Sequence, residues 1–510
     1  MIQLNNVSLY LKSSGRTLVK DISFTLNPGD RTVIIGEEGN GKSTLLKLIA
    51  DPELIEGHAE YTGSVFRGRH RIGYLAQELT TDERGTTAAG YMGADAGWLA
   101  EAKAAELGLD PDIVYAERPI STLSGGERVK LRLVKILVRE PDMLLLDEPT
   151  NDVDIETLEW LEGFINSFDG GVLFVSHDET LIENTATAVI HLEHVHHKKV
   201  ARHTVANVPY RKYMERRMRA MEHQAQVSAF EHEEQRKKEE RWREIYEKVD
   251  SAQRNLSRQD PSTGRLLKKK MHSVMSQGRR LEKERESLTE APVSEWQIDV
   301  KLPEVELPRR KEILRYTTDG LVSPAGTKLT EGFTLNVDAS EHVAVTGRNG
   351  VGKTTLLREI FDLLSDRRDI RLFYMPQNYW DELDAYASPI DFLAPSGEKE
   401  AVTAARTYLG SVRFTADEAE SPVSKLSGGQ KAKLFFVKMA LDGCSVLLLD
   451  EPTRNFSPIS NPVIRRVLAG FGGCIIAVTH DRKFIKEVAT RVVELTEEGL
   501  KDPAGGRRKV

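Results

Sequence analysis

Two short stretches of this 510-residue chain have the composition and spacing of phosphate-binding loops. The first is GEEGNGKST at 36–44 and the second is GRNGVGKTT at 347–355. Glycines let backbone amides wrap around phosphate oxygens, the lysine neutralises the terminal phosphates, and the next hydroxyl is a ligand for Mg²⁺. We therefore predict two sites for a triphosphate with Mg²⁺. Their residues are Gly36, Gly39, Gly41, Lys42, Ser43, Thr44, Gly347, Asn349, Gly350, Gly352, Lys353, Thr354 and Thr355.

An apolar run ending in LLLDEPT follows each loop, at 144–150 and 447–453. Asp147 and Asp450 end these runs, where a carboxylate is placed to hold Mg²⁺. Glu148 and Glu451 come next and are candidates to orient or deprotonate an attacking water. An Asp-Glu pair is not specific by itself, but after a phosphate-binding loop it predicts hydrolysis of the bound triphosphate.

The chain repeats the same ordered motifs twice. YLAQ returns as YMPQ, LSGGE as LSGGQ and FVSHD as AVTHD, all with the loops at nearly constant offsets of 300 to 311 residues. Short continuous apolar runs alternate with helical patterns in each copy, as in strands buried on both faces. The pattern predicts an α/β fold, in which two tandem domains each contain a parallel sheet.

LSGGE and LSGGQ resemble the signature of ABC ATPases, in which the signature of one domain completes the ATP site of the other. The resemblance implies that Lys42 faces Ser427 and that Lys353 faces Ser124. It adds to the ATP sites the residues Ser124, Gly125, Gly126, Ser427, Gly428 and Gly429. It also implies a glutamine at the metal and a switch histidine, acting in catalysis beside Glu148 and Glu451, at Gln77, Gln377, His177 and His480. The implied Mg²⁺ ligands are Ser43, Gln77, Asp147, Thr354, Gln377 and Asp450.

The segment between the copies has a different composition from either of them. Residues 210–290 contain one proline, Pro261, and long runs of helical pattern on both sides of a turn-like SRQDPSTG at 257–264. We predict an antiparallel helical hairpin whose first arm has some 45 residues and a length on the order of 70 Å. The domains are accordingly predicted as 1–204, a linker at 205–305, and 306–510.

Positive charge is concentrated in the distal part of this hairpin. The whole chain has a net charge of −7, yet residues 211–290 contain 21 Lys and Arg against 15 Asp and Glu. A solvated helical spacer explains the mixed charges near 231–248, but the distal bases favour a phosphate-rich partner. The candidate RNA-binding residues are Arg254, Arg258, Arg265, Lys268, Lys269, Lys270, Arg279 and Arg280.

Two ABC domains joined by a basic hairpin resemble the ABC-F family along essentially the whole chain. The resemblance implies a protein that binds the ribosome near the tRNA exit site and acts through its hairpin on the peptidyl-transferase region. The implied partner is ribosomal RNA of the large subunit, with tRNA as a second candidate, and the tip at 253–264 is the working end. ATP would close the two domains, and hydrolysis would release the protein.

The purpose within that family depends on the residues after the second DEPT. The first copy reads DEPTNDVD, close to the housekeeping pattern, whereas the second reads DEPTRNFSP and looks like the antibiotic-resistance branch, which protects ribosomes from drugs. A housekeeping translation factor is the alternative. An ATPase subunit of a transporter has no need of a phosphate-binding arm, and a zinc-containing DNA-repair ATPase needs more than the two cysteines present.

Further expectations come from single positions and from composition. Glu37 and Glu38 in the first loop predict weaker ATP binding at the Lys42 site unless their carboxylates point to solvent. Ser457 replaces the equivalent Asp154, which predicts asymmetric communication between the sites. We expect no membrane-spanning segment and no signal peptide, and we expect Cys444 and Cys474 to be buried thiols. We expect a cytoplasmic monomer.

Overall fold

The computed structural model describes the chain except for residues 152, 196–199, 255–260, 287, 289–301, 303–304, 306–307, 309–310, 325, 378–382, 384–385, 413, 427, 455 and 503–510. It consists of two compact units. The larger unit combines Met1–Tyr210 with Glu295–Val510 and contains both copies of the repeat. The smaller unit is Arg211–Ser294, inside the linker predicted at 205–305.

Each copy contains a six-stranded sheet that is parallel except at one edge. The order in the first copy is β5-β6-β7-β3-β8-β9, with only β9 antiparallel to its neighbour. A separate antiparallel sheet has the order β2-β1-β4. The strands are β1 Ile2–Leu11, β2 Thr17–Leu26, β3 Arg31–Ile35, β4 Ala59–Phe66, β5 Ile72–Leu75, β6 Met143–Asp147, β7 Gly171–Val175, β8 Ala188–Val195 and β9 Val200–Ala206. The helices are α1 Lys42–Ala50, α2 Thr81–Gly85, α3 Ala88–Met92, α4 Trp98–Glu106, α5 Gly125–Leu137, α6 Ile155–Ser167 and α7 Glu179–Thr185.

The second copy repeats this arrangement, with the order β13-β14-β15-β12-β16-β17 and an antiparallel pair β10-β11. Its strands are β10 Glu312–Thr318, β11 Phe333–Asp338, β12 His342–Thr346, β13 Leu372–Met375, β14 Val446–Asp450, β15 Cys474–Val478, β16 Arg491–Thr496 and β17 Gly499–Lys501. Its helices are α10 Lys353–Ser365, α11 Pro389–Leu393, α12 Lys399–Ser411, α13 Ala416–Glu420, α14 Gly428–Asp442, α15 Asn461–Ala469 and α16 Arg482–Glu487.

The central strands of both sheets are the continuous apolar runs of the sequence. Strands β3, β6 and β7, like β12, β14 and β15, are buried at every residue, because helices cover both faces of a parallel sheet. The predicted α/β fold with tandem parallel sheets is confirmed. The antiparallel strands around residues 2–66 and 312–338 were not predicted. Cys444 and Cys474 are buried, as expected.

Two long antiparallel helices, α8 Tyr210–Arg254 and α9 Pro261–Glu286, form the smaller unit, apart from Tyr210 itself. The side chains of Gln235 and Trp242 on α8 donate to the carbonyls of Leu281 and Val274 on α9, at 2.8 and 2.7 Å. The sequence had predicted a turn through 257–264, but α9 already begins at Pro261. Proline is well tolerated at the first helical position, where its missing N–H would have no helical partner. Residues 255–260, with Arg258 and half of the predicted tip, lie outside the described residues.

Among the residues that the structure describes, no helix combines the length and the apolar character needed to cross a membrane.

Candidate functional site

The motif residues of each copy lie together at the carboxyl edge of its parallel sheet. In the first copy, β3 leads into the phosphate-binding loop, β5 is followed by Gln77, β6 ends at Asp147 and β7 is followed by His177. The second copy places its equivalents in the same way. Crevices at the carboxyl ends of parallel strands are where α/β proteins bind ligands.

The two phosphate-binding loops adopt conformations that require glycine. Gly41 and Gly352 have φ of 88° and 105° and precede helices α1 and α10, whose first amides have no side-chain cap. A Cβ on Gly36 or Gly347 would lie 2.3 Å from a backbone carbonyl oxygen of strand β8 or β16. Uncapped helix amides beside a lysine form a ready anion-binding site. The loops therefore fit the phosphates of ATP.

A hydroxyl and a carboxylate converge beside each loop. Ser43 donates to Asp147 and Thr354 donates to Asp450, both at 2.9 Å. Burial raises the pKa of Asp147 to about 6, and burial also raises the pKa of Asp450. A nearby cation would relieve this cost, and hard oxygen ligands suit Mg²⁺. No cluster of three acidic, His or Cys ligands occurs in the described part of the chain, so phosphate and water oxygens would complete the metal's shell.

Glu148 and Glu451 both adopt a left-handed backbone, with φ of 49° and 53°. Their backbone N–H groups donate to the carbonyls of Val175 and Val478, at 3.0 and 2.9 Å, on the neighbouring strand. Such conformations are costly for a residue with a Cβ, and they persist where surrounding structure imposes them. Both glutamates therefore leave the sheet with the same strained backbone conformation.

The first glutamate is paired with its histidine. His177 Nε2 lies 2.8 Å from the Glu148 carboxylate, and Nδ1 lies 2.8 Å from the carbonyl oxygen of Phe456 in the second domain. Burial opposes charge on both groups, but their mutual attraction outweighs it, so the pKa of Glu148 is lowered and that of His177 is raised. The arrangement favours a buried carboxylate–imidazolium pair.

The second glutamate has a different environment. His480 Nε2 lies 3.8 Å from Glu451, and neither ring nitrogen has a hydrogen-bond partner among the described residues. Burial and the neighbouring Asp450 raise the pKa of Glu451 to about 7. Burial and the charge of Lys353 lower the pKa of His480 to about 3. A carboxyl with a pKa near neutrality is suited to proton transfer at physiological pH.

A cavity of about 880 Å³ surrounds the second site and has walls from both domains. Ser124 and Gly125, at the start of helix α5, line it opposite Lys353. The other predicted site residues that line it are Asn349, Gly350, Gly352, Thr354, Thr355, Gln377, Asp450, Glu451, His177 and His480. The structure therefore places the first signature beside the second phosphate-binding loop, in a cavity large enough for a nucleotide.

At the first site the signature of the second domain meets the loop directly. The backbone N–H of Gly429 donates to the Glu38 carboxylate at 3.2 Å. Ser457 and Ser460 donate to the Glu37 carboxylate at 2.9 and 2.7 Å. Ser427, predicted to face Lys42, lies outside the described residues. The two carboxylates therefore point to the second domain and not to solvent. Weaker ATP binding at the Lys42 site stays a prediction.

A group of charged side chains, which we call the interdomain charge cluster, joins the domains beyond the histidines. Arg465, with 2% of its side chain exposed, makes a bidentate contact with Glu179 at 2.9 and 3.4 Å. Lys483 lies 2.9 Å from Glu179 and 2.6 Å from Glu183. Its members are Glu162, Asp178, Glu179 and Glu183 of the first domain and Arg465, Arg482 and Lys483 of the second. The cluster was not predicted from the sequence, although the replacement of Glu162 by Arg465 at equivalent positions was a usable signal.

Other predicted residues lie apart from these sites or have other partners. Gln77 is exposed after β5, whereas its equivalent Gln377 lines the cavity. The candidate RNA-binding residues that the structure describes are exposed and belong to the hairpin unit: Arg254, Arg265, Lys268, Lys269, Lys270, Arg279 and Arg280.

Comparison with known proteins agrees with this geometry. The sequence profile of the ABC transporter family matches residues 19–151 and 330–454, just over half of the chain. ABC transporter F family member 2 of Arabidopsis thaliana is 28% identical over 562 residues, covering 99% of this chain and 78% of that protein. Putative ATP-binding protein YdiF of Bacillus subtilis (strain 168) is 28% identical over 558 residues, covering 99% of this chain and 81% of that protein.

A solved structure shares the fold of nearly the whole chain. The archaeal ribosome recycling factor aABCE1, solved in complex with the archaeal ribosomal stalk protein aP1, has a TM-score of 0.58 at 15% identity, covering 97% of this chain and 89% of that chain. The chain therefore belongs to the ABC transporter family, and it is an ATPase of two tandem domains that uses ATP and Mg²⁺.

Proposed function

We propose that this ATPase is of the ABC-F type and binds the ribosome, that its hairpin contacts ribosomal RNA near the peptidyl-transferase region, and that this protects the ribosome from antibiotics. ATP closes the two domains and stabilises the bound state. Hydrolysis, assisted by Glu148 and Glu451, opens them and releases the protein. Ribosomal RNA is the principal partner, with tRNA as a second candidate, and the chain acts as a cytoplasmic monomer.

The observation that carries this proposal is the distribution of charge on the hairpin. On α8, Lys237 lies 3.0 Å from Glu233 and Arg236 lies 3.7 Å from Glu240, each pair within one helix turn. Such pairs satisfy the bases locally, as in a solvated helix.

Helix α9 differs in its charge pattern, because residues 265–280 contain six bases and no Asp or Glu. Arg265, Lys268, Lys269, Lys270 and Arg279 are exposed and form no ion pair with other residues in the part of the chain that the structure describes. Exposed, unneutralised bases gain free energy from polyanions by releasing condensed counterions. The shared fold with an archaeal ribosome recycling factor makes ribosomal RNA the polyanion that we propose.

Co-sedimentation with ribosomes tests the proposal. Glu148→Gln/Glu451→Gln protein should bind ATP without hydrolysing it, so we expect ATP-dependent trapping on ribosomes that weakens steeply with salt. Equal sedimentation with and without ATP, or none at all, would contradict the proposed cycle.

A matched pair of triple variants separates the two helices. Replacement of Lys268, Lys269 and Lys270 by glutamine should weaken trapping and reduce the salt slope by about two to three, near one unit for each phosphate that is no longer neutralised. The control replaces Arg236, Lys237 and Lys238, three consecutive bases whose acidic partners lie 3.0 to 3.7 Å away. The control removes the same charge and should change the slope little. Equal effects would indicate that only net charge matters.

Translation assays distinguish protection from the housekeeping alternative. A protective factor should restore protein synthesis inhibited by drugs of the peptidyl-transferase centre or exit tunnel, and should change uninhibited synthesis little. A housekeeping factor should act equally without drug. We favour protection because the divergent second motif, DEPTRNFSP, resembles the antibiotic-resistance branch.

A further inference from the structure

The first phosphate-binding loop contacts the second domain through its own acidic side chains. Glu37 Oε1 accepts hydrogen bonds from Ser457 and Ser460, which are 420 and 423 residues away in the chain. Glu38 Oε2 accepts from the amide of Gly429, the second residue of helix α14. The amino end of a helix carries partial positive charge and favours an anion. Here that anion is the Glu38 carboxylate of the first domain.

The charge of this contact is maintained at neutral pH. Burial alone would raise the pKa of Glu37, but the charge of Lys433 and the hydroxyls of Ser460 and Ser457 outweigh it, so its pKa is lowered. Glu37 is largely buried and ionised at neutral pH, between its own Lys42 and groups of the second domain. An ATP molecule here would bring more negative charge toward the same donors.

The second loop makes no contact with the first domain through a carboxylate among the residues that the structure describes. The residues equivalent to Glu37 and Glu38 are Arg348 and Asn349. Arg348 reaches Glu156 at 3.1 Å in a pair that is more than 70% exposed on both sides. Asn349 lines the cavity and accepts from Lys353 at 3.4 Å. Across that cavity, the signature at Ser124 faces Lys353, and the loop contributes no carboxylate.

We propose that Glu37 and Glu38 form an intramolecular latch, in which their carboxylates make the contacts across the first site that a bound anion would otherwise make. The latch closes the first half of the domain interface without nucleotide. While the latch is closed, ATP binding and release at the Lys353 site supply the domain movement, and Glu148 assists hydrolysis only when the latch opens and the first site takes up ATP. This inference concerns the ATP cycle alone and does not depend on the ribosome being the partner.

Counting bound nucleotides without ribosomes tests the latch. Glu148→Gln/Glu451→Gln protein, equilibrated with labelled ATP and Mg²⁺, should bind one ATP tightly per chain. Addition of Lys353→Ala should abolish that binding, whereas Lys42→Ala should leave it. Adding Glu37→Gln and Glu38→Asn should create a second site with at least tenfold higher affinity than the first loop had before. Two sites of equal affinity in the parent protein, or no gain in the variant, would overturn the proposal.

Hydrogen exchange provides a second readout within the same chain. Without ATP, amides at the start of α14 should be protected, and those at the start of α5 should become protected only when ATP is added. Ser457→Ala/Ser460→Ala removes the two hydroxyl donors of the second domain from the latch. This variant should increase amide exchange at the start of α14 and leave amide exchange at the start of α5 unchanged. Equal protection of both helices without ATP, or no effect of the serine variants, would refute the latch. Failure to bind ribosomes would leave both results intact and would refute only the proposed function.

Discussion

Among the described residues, Arg465 makes the most buried charge contact between the domains, and its removal should destabilise the protein strongly. The guanidinium contacts Glu179, Asp481 and Glu487, and both it and Glu179 have 3% or less of their side chains exposed. Arg465→Met retains much of the volume but leaves buried carboxylates without their principal partner. Breaking a buried ion pair in this way costs about 3–5 kcal/mol. Lys483 still lies 2.9 Å from Glu179, which favours the lower end of that range.

Thermal unfolding followed by circular dichroism measures the effect. For domains of this size about 1 kcal/mol corresponds to about 2–4 °C, so Arg465→Met should lower the midpoint by roughly 6–20 °C. The control is Arg348→Met, which removes an interdomain pair whose side chains are 78% and 75% exposed. Exposed pairs contribute at most about 1 kcal/mol, so this change should be under about 4 °C.

A double-mutant cycle tests the cause of the loss. Glu179→Gln alone should also destabilise, since it deprives Arg465 and Lys483 of an anion. The combined Arg465→Met/Glu179→Gln protein should lose less stability than the sum of the two single changes. Each single change leaves one buried charge without its partner, whereas the double change removes both charges. The reasoning would be refuted if the two losses were additive, or if Arg465→Met and Arg348→Met had equal midpoints.

The second catalytic glutamate and the hairpin give two more predictions. In Glu148→Gln protein, where the first site is inactive, steady-state ATPase activity should rise about tenfold from pH 6 to pH 8. The reason is that the Glu451 carboxyl, with a pKa of about 7, is mostly protonated at pH 6 and mostly ionised at pH 8. A flat pH profile would exclude Glu451 as the titrating base. Trp242→Ala should cost the hairpin about 2–3 kcal/mol by removing the indole's hydrogen bond and its packing on Gly278. Faster amide exchange in both long helices with unchanged ATP binding would confirm it, and Trp242→Phe should fall between.

Local sequence signals predicted the parts of this fold that depend on short-range physics. The buried strands were visible as apolar runs, and the 45-residue first helix followed from its unbroken helical pattern. The phosphate-binding loops were visible because only glycine fits where a Cβ would strike the next strand. The placement of Ser124 opposite Lys353 came instead from the resemblance to ABC ATPases, since no local pattern indicates contacts across two domains.

The features of the ATP sites and of the domain interface that escaped the sequence depend on contacts between residues distant in the chain. Glu37 was recognised as unfavourable beside a triphosphate, but its partner Ser457 is 420 residues away. The same applies to Arg465 and Glu179, which are 286 residues apart. The left-handed backbone of Glu148 and Glu451 was equally invisible, because glutamate has no preference for it and the surrounding strands impose it. Tertiary context decided each of these.

The differences between the two copies favour pairing within the chain over pairing of either copy with itself. Position 162 carries glutamate in the first copy and its equivalent 465 carries arginine in the second. In the present structure Arg465 lies 2.9 Å from Glu179. If two first domains paired with each other, Glu162 would take the place of Arg465 and face Glu179. Buried like charges in contact cost several kcal/mol. The first loop and the second domain are likewise matched, because Ser457 and Ser460 donate hydrogen bonds to Glu37. Once each face is matched only to its opposite, the two ATP sites are no longer interchangeable, and one can hold the domains together while the other responds to nucleotide.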